Sequence, residues 1–147
     1  MDRDVWARLE RDGTVTLGMT DPAQTRCGKV VNVSFKRVGR RVAIGQSLAT
    51  IESAKWVGPF PAPLSGVIAA NNEAGFKADI LAANRDPYGA GWLVRLAPGA
   101  WEAERAWLLS GPAAAERYRA RIDQHKVNCM RCAPGPEGDT EDPDGEG

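Results

Sequence analysis

Ile51-Glu52-Ser53-Ala54-Lys55-Trp56-Val57-Gly58-Pro59-Phe60, followed by Ala62-Pro63-Leu64-Ser65-Gly66, is the stretch on which the reading of this chain turns. A strand runs into it through Ile51. Pro59, Pro61 and Pro63 rule out a central strand after it, because proline has no N–H for an interior ladder. The segment is therefore expected to be a β-turn with Lys55 exposed near its tip, held by a rigid scaffold. Rigidity matters for the chemistry. A modifying enzyme must find one amine among several lysines, and it can do so by position on a turn. Once acylated, that lysine loses its charge and becomes a long tether whose reactive end lies far from the fold. An ordinary hairpin also carries exposed lysines, so the surrounding sequence has to decide.

Outward from this turn, the chain from about Asp4 to Ala97 reads as β-rich: short apolar or alternating runs split by Gly, Pro, Asn and Asp. Trp6 to Leu9 is a first strand. Asp12-Gly13 makes a tight turn, since glycine tolerates positive φ, and Thr14 to Gly18 returns. Thr20 caps a short helix over Asp21 to Cys27, with Asp21 and Pro22 suited to a first turn. Strands follow at Lys29 to Phe35, Leu48 to Glu52 and Gly66 to Ala70. Ala74 to Ala83 is helical in part, and Gly91 to Leu96 is a last strand. A weak repeat runs through this region. Gly28-Lys29-Val30-Val31-Asn32-Val33 matches Gly66-Val67-Ile68-Ala69-Ala70-Asn71, and each is followed by a polar loop and a Gly-led strand, Gly45 to Ile51 and Gly91 to Leu96. Two such half-units can pack face to face as a flattened barrel or sandwich, since neither buries its apolar face alone. Lys55 lies at their junction.

Beyond the strands, Trp101, Glu104, Arg105 and Leu108 outline an amphipathic helix. Gly111-Pro112 breaks it and opens a second helix through Tyr118 and Ile122. Ala133 to Gly147 is rich in Pro, Gly, Asp and Glu with nothing to bury, and is expected to be disordered. The 147 residues thus divide into a carrier-like domain, 1–122, and an extension, 123–147. The apolar fraction of 43% suffices for one core. Nineteen basic residues balance nineteen acidic ones, which points to neither nucleic acid nor a membrane surface. No apolar run approaches the roughly 20 residues of a membrane span. Met1-Asp2-Arg3-Asp4 does not read as a secretory signal. A cytoplasmic monomer with reduced cysteines is the expectation.

Three blocks make the chain resemble the H protein of the glycine cleavage system over roughly Trp6 to Tyr118. The first is Asp12-Gly13-Thr14-Val15-Thr16-Leu17-Gly18-Met19-Thr20-Asp21-Pro22-Ala23-Gln24. The second is Glu52-Ser53-Ala54-Lys55 with the following Ala62-Pro63-Leu64-Ser65-Gly66. The third is Asn84-Arg85-Asp86-Pro87-Tyr88-Gly89-Ala90-Gly91-Trp92-Leu93. The resemblance implies a mainly β, hybrid barrel-sandwich fold of the lipoyl/biotinyl-carrier type, with a short helix near the N-terminus and helices at the C-terminal end. It also implies lipoic acid in amide linkage on Lys55, with Glu52, Ser53 and Trp56 around the arm. Biotin carriers share the architecture but usually set the lysine between two methionines, where this chain has Ala54 and Trp56. Glu52, three residues before the lysine, favours lipoate.

Four departures bear on which pathway uses the arm. Trp56-Val57-Gly58-Pro59 replaces the small and acidic residues usual after the lysine. Trp56 is either a docking contact, as exposed tryptophans at interface hot spots are, or a side chain packed over the barrel edge. Lys36-Arg37-Val38-Gly39-Arg40-Arg41 is basic where the H protein is typically acidic, which favours a different partner unless the loop is merely solvated. The usual S-H-E-W near the start is reduced to Asp4-Val5-Trp6. The extension holds Cys129-Met130-Arg131-Cys132, a C-x-x-C whose thiols, Cys129 and Cys132, would be able to exchange with a dithiol arm, or be incidental in a mobile tail. Zinc would need His125 and Cys27 as well. Cys27 otherwise reads as a small buried residue.

These departures resemble the H-protein-like lipoate-binding proteins of sulfur oxidation, which work with a heterodisulfide-reductase-like complex. The expected function is therefore a lipoyl carrier of sulfur intermediates. The alternatives are a glycine cleavage H protein carrying the aminomethyl group and an unmodified interaction module. The expected partners are a lipoate ligase or lipoyl transferase, the heterodisulfide-reductase-like complex or the glycine cleavage enzymes, and dihydrolipoamide dehydrogenase. No nucleophile–base constellation, phosphate loop or carboxylate pair stands out, so no self-standing catalysis is expected. The cofactor supplies the chemistry, and the protein supplies orientation and recognition.

Overall fold

The computed structural model describes residues 4–125. Eight strands form two antiparallel sheets. The first hairpin joins β1 (Val5–Leu9) to β2 (Val15–Met19) through a turn at Asp12-Gly13. There the Asp12 carboxylate accepts from the Thr14 N–H (3.0 Å) and hydroxyl, and Gly13 takes φ 84°. Thr20 then caps α1 (Asp21–Cys27), its hydroxyl accepting from the Ala23 N–H, with Pro22 in the first turn.

The remaining strands are β3 (Val30–Phe35), β4 (Arg41–Val42), β5 (Ser47–Ser53), β6 (Val57–Pro61), β7 (Gly66–Asn71) and β8 (Val94–Pro98). One sheet has the order β1-β2-β8-β7-β4 and the other β3-β5-β6. The internal repeat is visible in this division. In the first half β3 pairs with β5; in the second β7 pairs with β8, and the halves belong to different sheets. Their shared interior is filled by fully buried Leu17, Leu48, Ile51, Leu64, Ile68, Leu93 and Leu96. Removing such apolar area from water is worth about 25 cal/mol per Å², which drives the two halves together.

The sequence reading missed two strands. Val57–Pro61, expected to belong to a turn, pairs with β5 from Glu52↔Val57 to Ser47↔Pro61. The prolines are tolerated because β6 is an edge strand, with a partner on one side only. The short β4 follows the basic turn and pairs with β7. A two-residue strand has no periodicity of its own to betray it.

Helices occupy the connections. α2 (Glu73–Ala78) and α3 (Ala82–Arg85) link β7 to β8. The amphipathic helix expected from Trp101 is shorter than its pattern. α4 (Trp101–Glu104) tightens into a 3₁₀ turn, Arg105–Trp107, and Leu108 is extended. Trp101 and Leu108 still pack against the core, and Glu104 is tied to Ser65, accepting from its N–H at 2.7 Å and from its hydroxyl. α5 (Gly111–His125) follows. The acidic tail and the C-x-x-C lie outside the described residues.

Candidate functional site

The hairpin joining β5 to β6 is closed by the Ser53–Trp56 pair. Both the N–H of Ser53 (2.7 Å) and its hydroxyl (3.2 Å) donate to the Trp56 carbonyl. Ala54 and Lys55 form the tip, and the Lys55 N–H reaches back to the Ser53 hydroxyl at 3.4 Å. Ser53 is buried, whereas Glu52, Ala54, Lys55 and Trp56 are exposed. The amine thus stands in solvent on a two-residue loop whose base is pinned by three hydrogen bonds. Holding the loop in one geometry presents the amine in one place.

Trp56 combines the two readings given to it. Its ring lies flat against Gly58, where a Cβ would come within 2.1 Å of Cζ2. It is nonetheless 43% exposed, with Val57 beside it at 62%. The indole is seated on the strand edge and still offers a face next to the lysine.

The Lys55 side chain runs across Gly28. A Cβ built on Gly28 would stand 2.9 Å from Lys55 Cε, and the residue has φ 83°, ψ −166°, a region essentially reserved for glycine. The backbone of Gly28 is held from both sides. Its N–H donates to the Gln24 carbonyl (2.9 Å), and its carbonyl accepts from the Asn84 amide (2.9 Å). Asn84 also donates to Gln24 Oε1 (3.1 Å) and accepts from the Val30 N–H (3.0 Å), all within the interior. Tyr88 adds a second link between the same regions, accepting from the Asp21 N–H at 2.9 Å. Asn84, Gln24 and Gly28 were legible as parts of motifs, but their joint role as a seat under Lys55 was not. Gln24 and Asn84 belong to two blocks sixty positions apart, and Gly28 opens the internal repeat, so nothing in the sequence joins the three.

Cys27 lies beside this seat, 6% exposed. Burial pushes its thiol above the ordinary range, against the smaller opposing effects of the Ser53 hydroxyl and the Lys55 charge. That makes it a poor thiolate near neutral pH. Cys129 and Cys132 lie outside the described residues, and among the described residues no cluster of three or more His, Cys, Asp or Glu is arranged to hold a metal ion. Also among the described residues, no helix is long and apolar enough to cross a membrane.

The family model described as "Glycine cleavage H-protein" matches residues 1–121. The chain is 39% identical over 130 residues to "Glycine cleavage system H protein 2" of Aquifex aeolicus, covering 88% of this chain and 80% of that one. It is 43% identical over 127 residues to "Probable glycine cleavage system H protein 2" of Saccharolobus solfataricus, covering 86% and 84%. Among solved structures it resembles a glycine cleavage system H protein from Mycobacterium marinum, with TM-score 0.64 and 31% identity, covering 84% of this chain and 92% of that one.

Proposed function

Since this chain belongs to the glycine cleavage H-protein family, whose members carry lipoate covalently on a lysine, we propose that Lys55 is that lysine and that the protein is a swinging-arm carrier for the glycine cleavage enzymes. The observation behind this is the exposed amine on a two-residue tip whose base is pinned through Ser53 and Trp56. The residues present fit a tethered group. The Lys55 stem has an open seat at Gly28, and Glu52 lies exposed beside the tip. When attached, the lipoyl group supplies dithiol chemistry. The chain's own part is to display the amine, hold the stem and meet partner enzymes. On this reading the protein is a cytoplasmic monomer with no catalysis of its own, residues 1–122 form the carrier domain and 123–147 an extension. It is acylated by a lipoate ligase or lipoyl transferase, carries an aminomethyl group, and is reoxidised through dihydrolipoamide dehydrogenase.

The sulfur-oxidation role expected from the four departures has less support than this alternative, because the relatives are named as glycine cleavage proteins. It is kept as a second reading on one observation, the half-exposed Trp56 beside the arm. Two measurements test the proposal. Intact mass of the protein from cells with an active lipoate-attachment pathway is expected to show one lipoyl increment, lost in Lys55→Arg. The lipoylated protein is then expected to accept an aminomethyl group from glycine decarboxylase. An unmodified Lys55 refutes the carrier reading. A lipoylated protein that glycine decarboxylase ignores refutes only the glycine cleavage assignment, in favour of the sulfur carrier.

A further inference from the structure

Ion pairs among the described residues include Arg8–Glu10, Arg26–Asp4, Lys77–Glu73, Arg85–Asp79 and Arg105–Glu102. None of them involves the densest cationic segment, Lys36-Arg37-Val38-Gly39-Arg40-Arg41. Its four cations stand in six residues with no carboxylate among them, in a chain of zero net charge. The nearby carboxylate on α2, Glu73, is taken by Lys77 at 3.4 Å.

This segment is a stiff turn rather than a loose loop. The Arg40 N–H donates to the Arg37 carbonyl (3.2 Å), and Gly39 adopts φ 90°, as the third residue of a type II turn requires. The turn is fastened to β7 by Gly39 N–H to the Ile68 carbonyl (2.7 Å) and Ile68 N–H to the Arg40 carbonyl (2.9 Å). Val38 projects at the tip, 56% exposed, and Arg37, Arg40 and Arg41 are exposed around it. The backbone of the turn is thus ordered before binding, and only the rotamer freedom of its four long side chains remains to be lost.

The patch is continuous with the lysine. β3 leads from it to Val30, which stands opposite Ser53 at the base of the Lys55 tip. Five residue steps of strand make that path about 17 Å. Against β3 and α2 lies a groove of about 610 Å³ lined by Val31, Val33, Phe35, Phe76 and Ile80 together with the Glu73–Lys77 pair. β3 is an edge strand of its sheet. A standard interface of roughly 800 Å² per partner is broad enough to cover both ends of this face.

We propose that the Lys36–Arg41 turn and the adjoining β3 edge form the docking face for an acidic, apolar-edged protein surface of an enzyme that works on the arm, with the turn steering the encounter and β3 leading it to Lys55. The zero net charge and the exposed valine at the centre of the patch favour a protein over a nucleic acid, whose footprint is a broad, strongly basic surface. The proposal takes from the carrier reading only the identity of the partner.

The test has two arms. In the first, the ¹⁵N-labelled protein is titrated at low salt with an acidic peptide of alternating Glu and Leu, and separately with single-stranded dT12. Peptide-induced shifts are expected at residues 36–41 and along β3, and are expected to vanish at high salt. Shifts elsewhere, no shifts, or tighter binding of dT12 at the same residues overturn the proposal. In the second, association of the lipoylated protein with glycine decarboxylase is followed by stopped flow for the wild type, Arg37→Gln/Arg40→Gln/Arg41→Gln and Arg37→Glu/Arg40→Glu/Arg41→Glu. These positions are exposed, so the fold is expected to tolerate the substitutions, and thermal melts identify any variant that misfolds. The association rate is expected to fall roughly 10-fold or more for the Glu variant and less for the Gln variant, converging with wild type as salt rises. Equal rates for wild type and both folded variants at low salt overturn the docking face while leaving the carrier function standing. A wild-type protein that does not associate with glycine decarboxylase removes that partner, and the peptide arm then decides the docking face.

Discussion

Replacing Asn84 by alanine probes whether the seat under Lys55 is built as described. Asn84 is 8% exposed and makes three hydrogen bonds, to the Gly28 carbonyl, to Gln24 Oε1 and from the Val30 N–H. The alanine strands all three. Two of the partners are main-chain groups that cannot rotate away, and each buried group left unpaired costs about 1–3 kcal/mol. A water entering the vacated space recovers part of this, so the expected loss is about 3 kcal/mol, a large share of the ~5–15 kcal/mol that holds a typical domain folded. Urea unfolding followed by circular dichroism reads it directly. With a slope of about 1.5 kcal/mol/M, the midpoint should fall by about 2 M with the slope unchanged. Asn84→Asp keeps an acceptor for Val30 but aims carboxylate oxygens at the Gly28 and Gln24 oxygens, so its loss at neutral pH should be at least as large. A midpoint shift below about 0.5 M for the alanine variant would refute the clamp. A harmless Asn84→Asp would refute the bond to the Gly28 carbonyl, because an ionised carboxylate has no hydrogen to donate to it.

Other outcomes follow from the same geometry. Gly28→Ala forces a non-glycine residue into φ 83°, ψ −166° and crowds Lys55 Cε; it should cost about 1–3 kcal/mol and slow lipoylation of Lys55, measured by intact mass over time. Gly58→Ala should lift Trp56 from the strand edge, seen as a shift of its indole resonance while core resonances stay in place. The Cys27 thiol, raised by burial, stays neutral in the fold where the unfolded chain would already have ionised. The unfolded state then binds fewer protons, so stability should fall as pH rises past the ordinary thiol range, and Cys27→Ala should flatten that decline in alkaline melts. Lipoylation removes the Lys55 charge that opposes the shift, so it should move the thiol higher still and slow its reaction with a disulfide reagent.

By itself the sequence determined the β-rich class, the Asp12-Gly13 turn, the Thr20-capped helix and the division into two half-units. Each of these rests on short-range chemistry: side-chain period, turn residues, a cap. Tertiary structure decided the rest. That Lys55 sits on a hairpin within one sheet, between β5 and β6, came from the structure. Val57–Pro61 is a strand because β5 supplies a partner on one side, which no local pattern of two prolines in five residues reveals. The seat of Lys55 depends on Asn84 meeting Gly28 across fifty-six positions, and that Lys36, Arg37, Arg40 and Arg41 form no ion pair among the described residues depends on which carboxylates fold within reach. Hydrogen bonds and ion pairs between distant positions carry no periodicity, so they become visible only once the two sheets have closed on a common core.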